Sequence, residues 1–325
     1  MPPVLITGGA GFIGSHLAER LHADGARVTV LDDLSTGREA NLAALRGHDG
    51  FRFVRGDASD AALLAALMPR GALVFHLAAP VGLHRVLEAP DRVLAEGVAT
   101  MAAVLDAAAR AGARVVLASS SEVYGKPERV PFREDDDLRP GPPSRGRWAY
   151  ALMKAAKEAM ALARHRRGEI EAVVIRFFNV VGPRQTGRYG MVVPRFIARA
   201  QRGLPLLVHG DGQQTRTFLH VLDAVEAVVR LAAHPNAAGE IFNVGGEEEI
   251  SIRTLAGRVI AANSSSSPIH FLPYADAYPA GYEDVLRRVP DIGKVKRLTG
   301  WRPRRPLPLS TAELTVPAAH GGAES

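Results

Sequence analysis

The chain has 325 residues, 47% hydrophobic and 23% charged, the profile of a folded globular protein and not of a disordered or fibrous one. It contains no cysteine and no apolar run of membrane-spanning length, which excludes a disulfide framework, a thiolate metal site and a spanning helix; no metal is expected. The net charge of +6 suits an anionic partner, but the arginines of RHRRG (164–168) and WRPRRP (301–306) lack interleaved aromatics, so a phosphate-bearing small molecule is expected and nucleic acid is not.

MPPVLITGG opens directly on a strand-like run with no basic, apolar leader, and a cytoplasmic location is the expectation. VLIT (4–7), RVTVLD (27–32), FRFV (51–54), ALVFHL (72–77), ARVVLAS (113–119) and EAVVIRF (171–177) predict strands buried on both faces. Between them, 15–25, 58–68 and 96–112 have helical periodicity, and AYALMKAAKEAMALARHRRG (149–168) predicts a long helix before the sixth strand. Strict alternation predicts an α/β fold with a doubly wound parallel sheet. After about Asn179, Pro and Gly become frequent and the segments irregular. This predicts a dinucleotide-binding domain over 1–179, to which 217–246 return, a smaller C-terminal substrate domain over 180–310, and a disordered tail over 311–325.

VLITGGAGFIGSHL (4–17) sets Gly8, Gly11 and Gly14 between a strand and a helix. Gly8 allows the tight turn, Gly11 lets backbone N–H groups reach a diphosphate, and Gly14 permits close helix packing. Asp32 ends the second strand, 18 residues beyond Gly14, where a carboxylate accepts from ribose hydroxyls and repels a 2′-phosphate. NAD is therefore expected over NADP, with Arg38 the one nearby residue that would suit the latter. Asp57 follows the third strand, near the adenine, and HLAA (76–79) passes beneath the cofactor, His76 being read as a structural residue.

Tyr150 and Lys154 stand at i and i+4, one helical turn apart. A tyrosine titrates near ~10, and a neighbouring ammonium and a positive nicotinamide ring would favour its phenolate as a base. The pair alone recurs by chance on many helices. Ser120 on the preceding strand and the glycine motif upstream make it a catalytic set.

TGGAGFIG, the Ser120/Tyr150/Lys154 set and RFFNVVGPR together resemble the extended short-chain dehydrogenase/reductase family, and within it the nucleotide-sugar epimerases, dehydratases and decarboxylases. The resemblance spans about residues 4–306. It implies a Rossmann-type domain whose NAD is lined by Gly8, Gly11, Phe12, Ile13, Gly14, Asp32 and Asp33. Ser35, Thr36, Gly37, Asp57, Ala58, Leu77, Ala78 and Ala79 complete that lining, with Tyr150 and Lys154 at the nicotinamide end. It also implies a UDP-sugar held by Asn179, Arg184, Val193, Arg195 and Arg216, and a homodimer formed through a four-helix bundle of the helices at 96–112 and 149–168.

The family's members oxidise the sugar at C4, and the 4-ketone then divides the reactions. An epimerase needs no further acid or base. A 4,6-dehydratase would carry an acid where Ser121 stands, and serine is a poor one. In a uronic acid the C6 carboxylate is β to the ketone and leaves easily as CO2. Ser120-Ser121-Glu122 resembles the Thr-Ser-Glu of the UDP-glucuronic acid decarboxylases, and GYEDVLRRVPDIGKVKRLTGWRP (281–303) resembles their C-terminal segment, with Arg288 entering the site. Glu122 would position the substrate acid or a water, or relay the C5 proton; Arg288 would neutralise the carboxylate or donate a proton. The loop APVGLHRVLEAP (79–90) lacks the tyrosine those decarboxylases usually carry, leaving Arg85 or His84 as substitutes. The expected product is UDP-xylose or a UDP-4-keto-pentose that escapes before reduction. The alternatives are a UDP-sugar 4-epimerase acting on a hexose or hexuronic acid and a catalytically silent NAD-binding regulatory protein, the latter disfavoured by the complete Ser120/Tyr150/Lys154 set.

Overall fold

A computed structural model of the chain describes residues 1–80, 83–187, 191–278 and 283–314, and for 83–85 the backbone only. The first half runs Val4–Thr7 (β1), Phe12–Ala23 (α1), Val28–Asp32 (β2), Phe51–Arg55 (β3), Ala61–Leu67 (α2) and Leu73–His76 (β4). Leu83–Glu88 (α3), Pro90–Ala111 (α4), Arg114–Ser120 (β5), Ala149–Arg166 (α5) and Glu171–Phe177 (β6) follow. Then come Val180–Val181 (β7), Val192–Gln201 (α6), Leu206–His209 (β8), Thr215–Thr217 (β9), Leu219–His220 (β10), Val221–Ala233 (α7) and Ile241–Val244 (β11). Glu249–Ser251 (β12), Ile252–Ala262 (α8), Ile269–Leu272 (β13), Tyr274–Ala277 (α9), Arg287–Arg288 (β14), Gly293–Thr299 (α10) and Thr311–Leu314 (α11) complete the order.

Seven strands form one parallel sheet in the order β3-β2-β1-β4-β5-β6-β11. Successive residues of its central strands point to opposite faces, and both are buried. Val116 joins the core with α1 and α7 on one face, and Val115 and Leu117 join that with α4 and α5 on the other. Burial on both faces is why these strands read as continuous apolar runs and not as alternating ones. The helix expected from Ser15 begins at Phe12, capped by Gly11. The one expected from Glu96 begins at Pro90, with proline in its first turn, because Val93 is already fully buried while its charged neighbours face outward.

Beyond β6 the chain leaves the sheet. β9 pairs with β12 and β14, and β8 with β13. A separate core of Val193, Phe196, Leu206, Val208, Leu255 and Val259 holds α6 and α8 against these strands. A further cluster, Tyr124, Phe132, Trp148, Phe178 and Val285, draws the later chain onto the end of β5 and the start of α5. The segment after Ser310, expected to be disordered, opens with the helical turn α11, where the Glu313 carboxylate accepts from the Ser310 N–H at 2.9 Å; residues 315–325 lie outside the described residues. Among the described residues no helix is long and apolar enough to cross a membrane.

Candidate active site

The C-terminal ends of β1, β2, β4, β5 and β6 open on one side of the sheet, where a parallel α/β fold presents its ligands. A cavity of about 950 Å³ runs there from Gly8 to Arg288. At its first end the Gly8 N–H donates to the Leu31 carbonyl at 2.8 Å and Gly8 adopts φ +74°. A Cβ on Gly8 would stand 2.7 Å from the Ala78 nitrogen, and one on Gly14 would stand 2.4 Å from the Gly8 oxygen. The chain thus brings bare backbone to the start of α1, whose N-cap carries no side-chain bond and whose first turn has no acid, a ready seat for an anion.

Asp32 is buried, which raises its carboxyl, while the N–H groups of Leu34 and Ala10 donate to it at 2.8 and 2.9 Å. Each oxygen keeps a lone pair for a ribose hydroxyl. Phe12, Ile13, Asp33, Ser35, Thr36, Asp57, Ala58, Leu77, Ala78 and Ala79 line the same cavity. Gly37 lies off its wall: its missing side chain leaves room for the Asp32 carboxylate, which a Cβ would meet at 2.9 Å. These donors, acceptors and glycines fit a dinucleotide. His76 is fully buried, its Nδ1 2.7 Å from the Thr7 hydroxyl.

In the middle of the cavity, β5 delivers Ser120 and α5 delivers Tyr150 and Lys154. Ser120 and Tyr150 line the cavity together, and the Ser120 hydroxyl acts on the Tyr150 phenol. Lys154 Nζ donates to the Ala118 carbonyl at 2.7 Å and lies 5.7 Å from the centre of the Tyr150 ring. Burial pushes Lys154 down to about 8, opposed by the Glu158 carboxylate. Tyr150 departs from the expectation. Burial, then the Glu122 charge, raise its phenol above the ordinary value, and the Ser120 hydroxyl lowers it only in part. Behind the pair, Glu158 accepts from Ser119 at 2.5 Å and from Arg176 Nη2 at 2.7 Å, all three buried.

Glu122 stands on the turn that ends β5. Arg288 Nη1 donates to its Oε1 at 2.6 Å, and Arg147 Nη2 approaches its Oε2 at 3.4 Å. Burial favours the neutral acid, but the charges of Arg288, Arg147 and Arg216 outweigh it and hold the carboxyl at about 2. Ser121 is buried on the same turn and lines the cavity. Sequence reasoning missed Arg147; its signal was its place three residues before Tyr150 and beside Trp148, over whose ring its guanidinium stacks at 4.7 Å.

The remaining expected residues line the same cavity, Arg216 at its far end and Arg184 beside α1. Arg216 donates to Asp284 at 2.9 Å, and Tyr274 donates to the other oxygen of Asp284 at 2.9 Å. Asn179 donates to the Thr217 carbonyl at 2.7 Å, and Arg184 to Glu19 at 2.5 Å. Both adopt positive φ, +36° and +69°, strained for side-chain-bearing residues and found where two parts of a site are pinned together. Val193 and Arg195 line the wall from α6. The side chains of Arg85 and His84 lie outside the described residues.

Residues 4–245 match the NAD dependent epimerase/dehydratase family, and the chain belongs to it. Its cofactor is NAD. A UDP-N-acetyl-alpha-D-glucosaminuronate decarboxylase of Bacillus cytotoxicus is 39% identical over 300 residues, 92% of each chain. The UDP-glucuronic acid decarboxylase 1 of Danio rerio is 38% identical over 94% of this chain and 69% of its own. A UDP-glucose 4-epimerase of Mycolicibacterium smegmatis is 36% identical over 92% of this chain and 93% of its own. Among solved structures, the epimerase Mth375 of Methanothermobacter thermautotrophicus superposes with a TM-score of 0.85 at 30% identity, covering 96% of this chain and 90% of its own. DesIV, a dTDP-glucose 4,6-dehydratase of Streptomyces venezuelae with NAD and TYD bound, does so with 0.82 at 32%, covering 94% and 92%.

Proposed function

We propose that the protein decarboxylates a UDP-linked uronic acid, with UDP-glucuronic acid the substrate. The observation that carries this reading is the carboxylate of Glu122 held between Arg288 and Arg147 beside Ser120 and Tyr150. Two guanidinium groups converging on a carboxylate make a seat for a second one, since the planar fork matches carboxylate geometry. Neither an epimerase nor a dehydratase acting on a neutral hexose has use for it. The decarboxylase names of the relatives at 39% and 38% identity support the same reading.

NAD, held by the glycine turn and Asp32, would supply a hydride acceptor and a positively charged ring. Tyr150 takes the O4 proton and Ser120 hydrogen-bonds the same oxygen; burial and Glu122 raise the phenol, so the positive nicotinamide ring of bound NAD would be needed to bring the phenolate into range. With C4 a ketone, the C5–C6 bond breaks, CO2 leaves, and the electron pair passes into an enolate at the C4 oxygen. C5 then takes one proton. Return of the hydride to C4 and of the Tyr150 proton to O4 gives the UDP-pentose, with one proton consumed per turnover; release of the 4-ketone would instead leave the cofactor reduced, with no net proton consumed. Glu122, ionised down to about 2, suits the role of holding Arg147 and Arg288 in place and not that of C5 proton donor at neutral pH. Asn179, Arg184, Val193, Arg195 and Arg216 serve the nucleotide diphosphate and sugar. Residues 1–179 with 217–246 are the cofactor domain, and 180–310 the substrate domain.

A homodimer accompanies this reading. Half-buried or exposed Val98 and Ala102 on α4 and Leu152, Ala156 and Ala159 on α5 offer an apolar face suited to a second copy, and sedimentation tests it. UDP-glucose 4-epimerisation is the second reading, favoured by the relative that bears that name. Incubating purified protein and NAD separately with UDP-glucuronic acid, with its 2-acetamido analogue and with UDP-glucose decides between them. CO2 release with a UDP-pentose or its 4-ketone by NMR is expected; UDP-galacturonic acid without CO2 would replace this reading with epimerisation.

A further inference from the structure

The segment from Glu283 to Arg288 is fastened by charge at both ends. At one end Arg288 reaches Glu122 at 2.6 Å. At the other, Glu283 Oε2 accepts from Lys126 Nζ at 2.9 Å and from Trp148 Nε1 at 3.2 Å, and its Oε1 lies 3.4 Å from Arg145. Trp148 is fully buried two residues before Tyr150, and Arg147 stacks on its ring while approaching Glu122. The contacts close a ring from Glu283 through Trp148, Arg147, Glu122 and Arg288, returning along the backbone to Glu283. Glu283 and Trp148 are not part of the cavity wall, whereas Arg147 and Arg288 are.

We infer that Glu283 is a positioning residue that aims the Arg147–Arg288 pair, and that the preference for a nucleotide sugar bearing a C6 carboxylate over one bearing a C6 hydroxyl depends on it. The choice of ligand rests on the decarboxylase reading. Guanidinium–carboxylate pairing is directional, so a small rotation of either arginine weakens it, while contacts to nucleotide and diphosphate are untouched. The pull of Glu283 on the indole N–H fixes the ring on which Arg147 lies, and its grip on Lys126 and Arg145 fixes the start of the segment that ends in Arg288.

The test is equilibrium binding of UDP-glucuronic acid and UDP-glucose to the NAD-loaded full chain in a Tyr150→Phe background, which binds them without turnover, as the otherwise wild-type chain, Glu283→Gln, Trp148→Phe and Glu249→Gln. The first variant keeps an acceptor for the indole but drops the charge. The second keeps the ring and removes the N–H. The third removes the ion pair that tethers Arg287, in the same segment but outside the ring. The wild type is expected to prefer UDP-glucuronic acid by about tenfold or more, as a charge-assisted pair implies. Glu283→Gln and Trp148→Phe lose most of that preference with UDP-glucose affinity and NAD content kept, and Glu249→Gln retains it. Retention of the preference in either of the first two variants overturns the inference, as does an equal loss in Glu249→Gln, a parallel loss of UDP-glucose affinity or a wild type without preference. CO2 release is measured on the same four chains with Tyr150 intact: a wild type that prefers the uronate in binding but releases no CO2 sinks the decarboxylase reading, and the inference then stands or falls on the binding preference.

Discussion

The two ends of the cavity are built by different means. At the cofactor end, the turn of Gly8, Gly11 and Gly14 and the carboxylate of Asp32 come from adjacent segments, and the fit is made by backbone and by the absence of side chains. At the substrate end, Glu122, Arg147, Arg216 and Arg288 come from four segments up to 166 residues apart, and the fit is made by charge. A site made of backbone tolerates no added atom, whereas a site made of ion pairs tolerates isosteric change in shape but not in charge.

Tyr150→Phe, at the junction of the two ends, has the largest expected effect. Turnover falls by about 10²–10⁴-fold, as loss of a general base does, with NAD still bound; activity within tenfold of wild type would remove Tyr150 from the chemistry. Glu158→Leu comes next. It leaves Arg176 buried without its carboxylate and lowers stability by about 3–5 kcal/mol in urea unfolding. Glu158→Leu combined with Arg176→Leu recovers part of the loss, since an apolar pair of similar volume leaves no stranded charge.

Gly14→Ala sharpens the contrast from the cofactor end. Its methyl meets the Gly8 oxygen at 2.4 Å, so the turn shifts and NAD affinity drops by about tenfold or more. Fluorescence titration with NAD measures it, and unchanged affinity would mean that the turn yields without cost. The last effect is in pH dependence and shows only in acid. Glu122 has a folded value of about 2 against an ordinary 4.5. A lowered carboxyl contributes stability that is complete above 4.5 and disappears as pH falls towards 2. Glu122→Gln therefore flattens the acid limb of the unfolding midpoint over that window, and an acid limb unchanged from wild type would show that Glu122 is not ion-paired in solution.

The sequence by itself determined the parallel sheet, the glycine turn with Asp32, and the Tyr150–Lys154 pair. Each of these is a local pattern: a buried strand's apolar run, a turn that only glycine fits, and an i, i+4 spacing that puts two side chains on one helix face. Resemblance extended that reading to Glu122 and Arg288 as separate residues, but their contact, and the addition of Arg147, were decided only by tertiary structure. The sense of the Tyr150 shift was decided there too. The sequence shows which charges are near Tyr150 along the helix, and predicts a lowered phenol. Folding half-buries the ring and brings Glu122 close, and both raise it. Burial and through-space charge depend on distances between segments remote in the chain, and neither spacing nor periodicity encodes them.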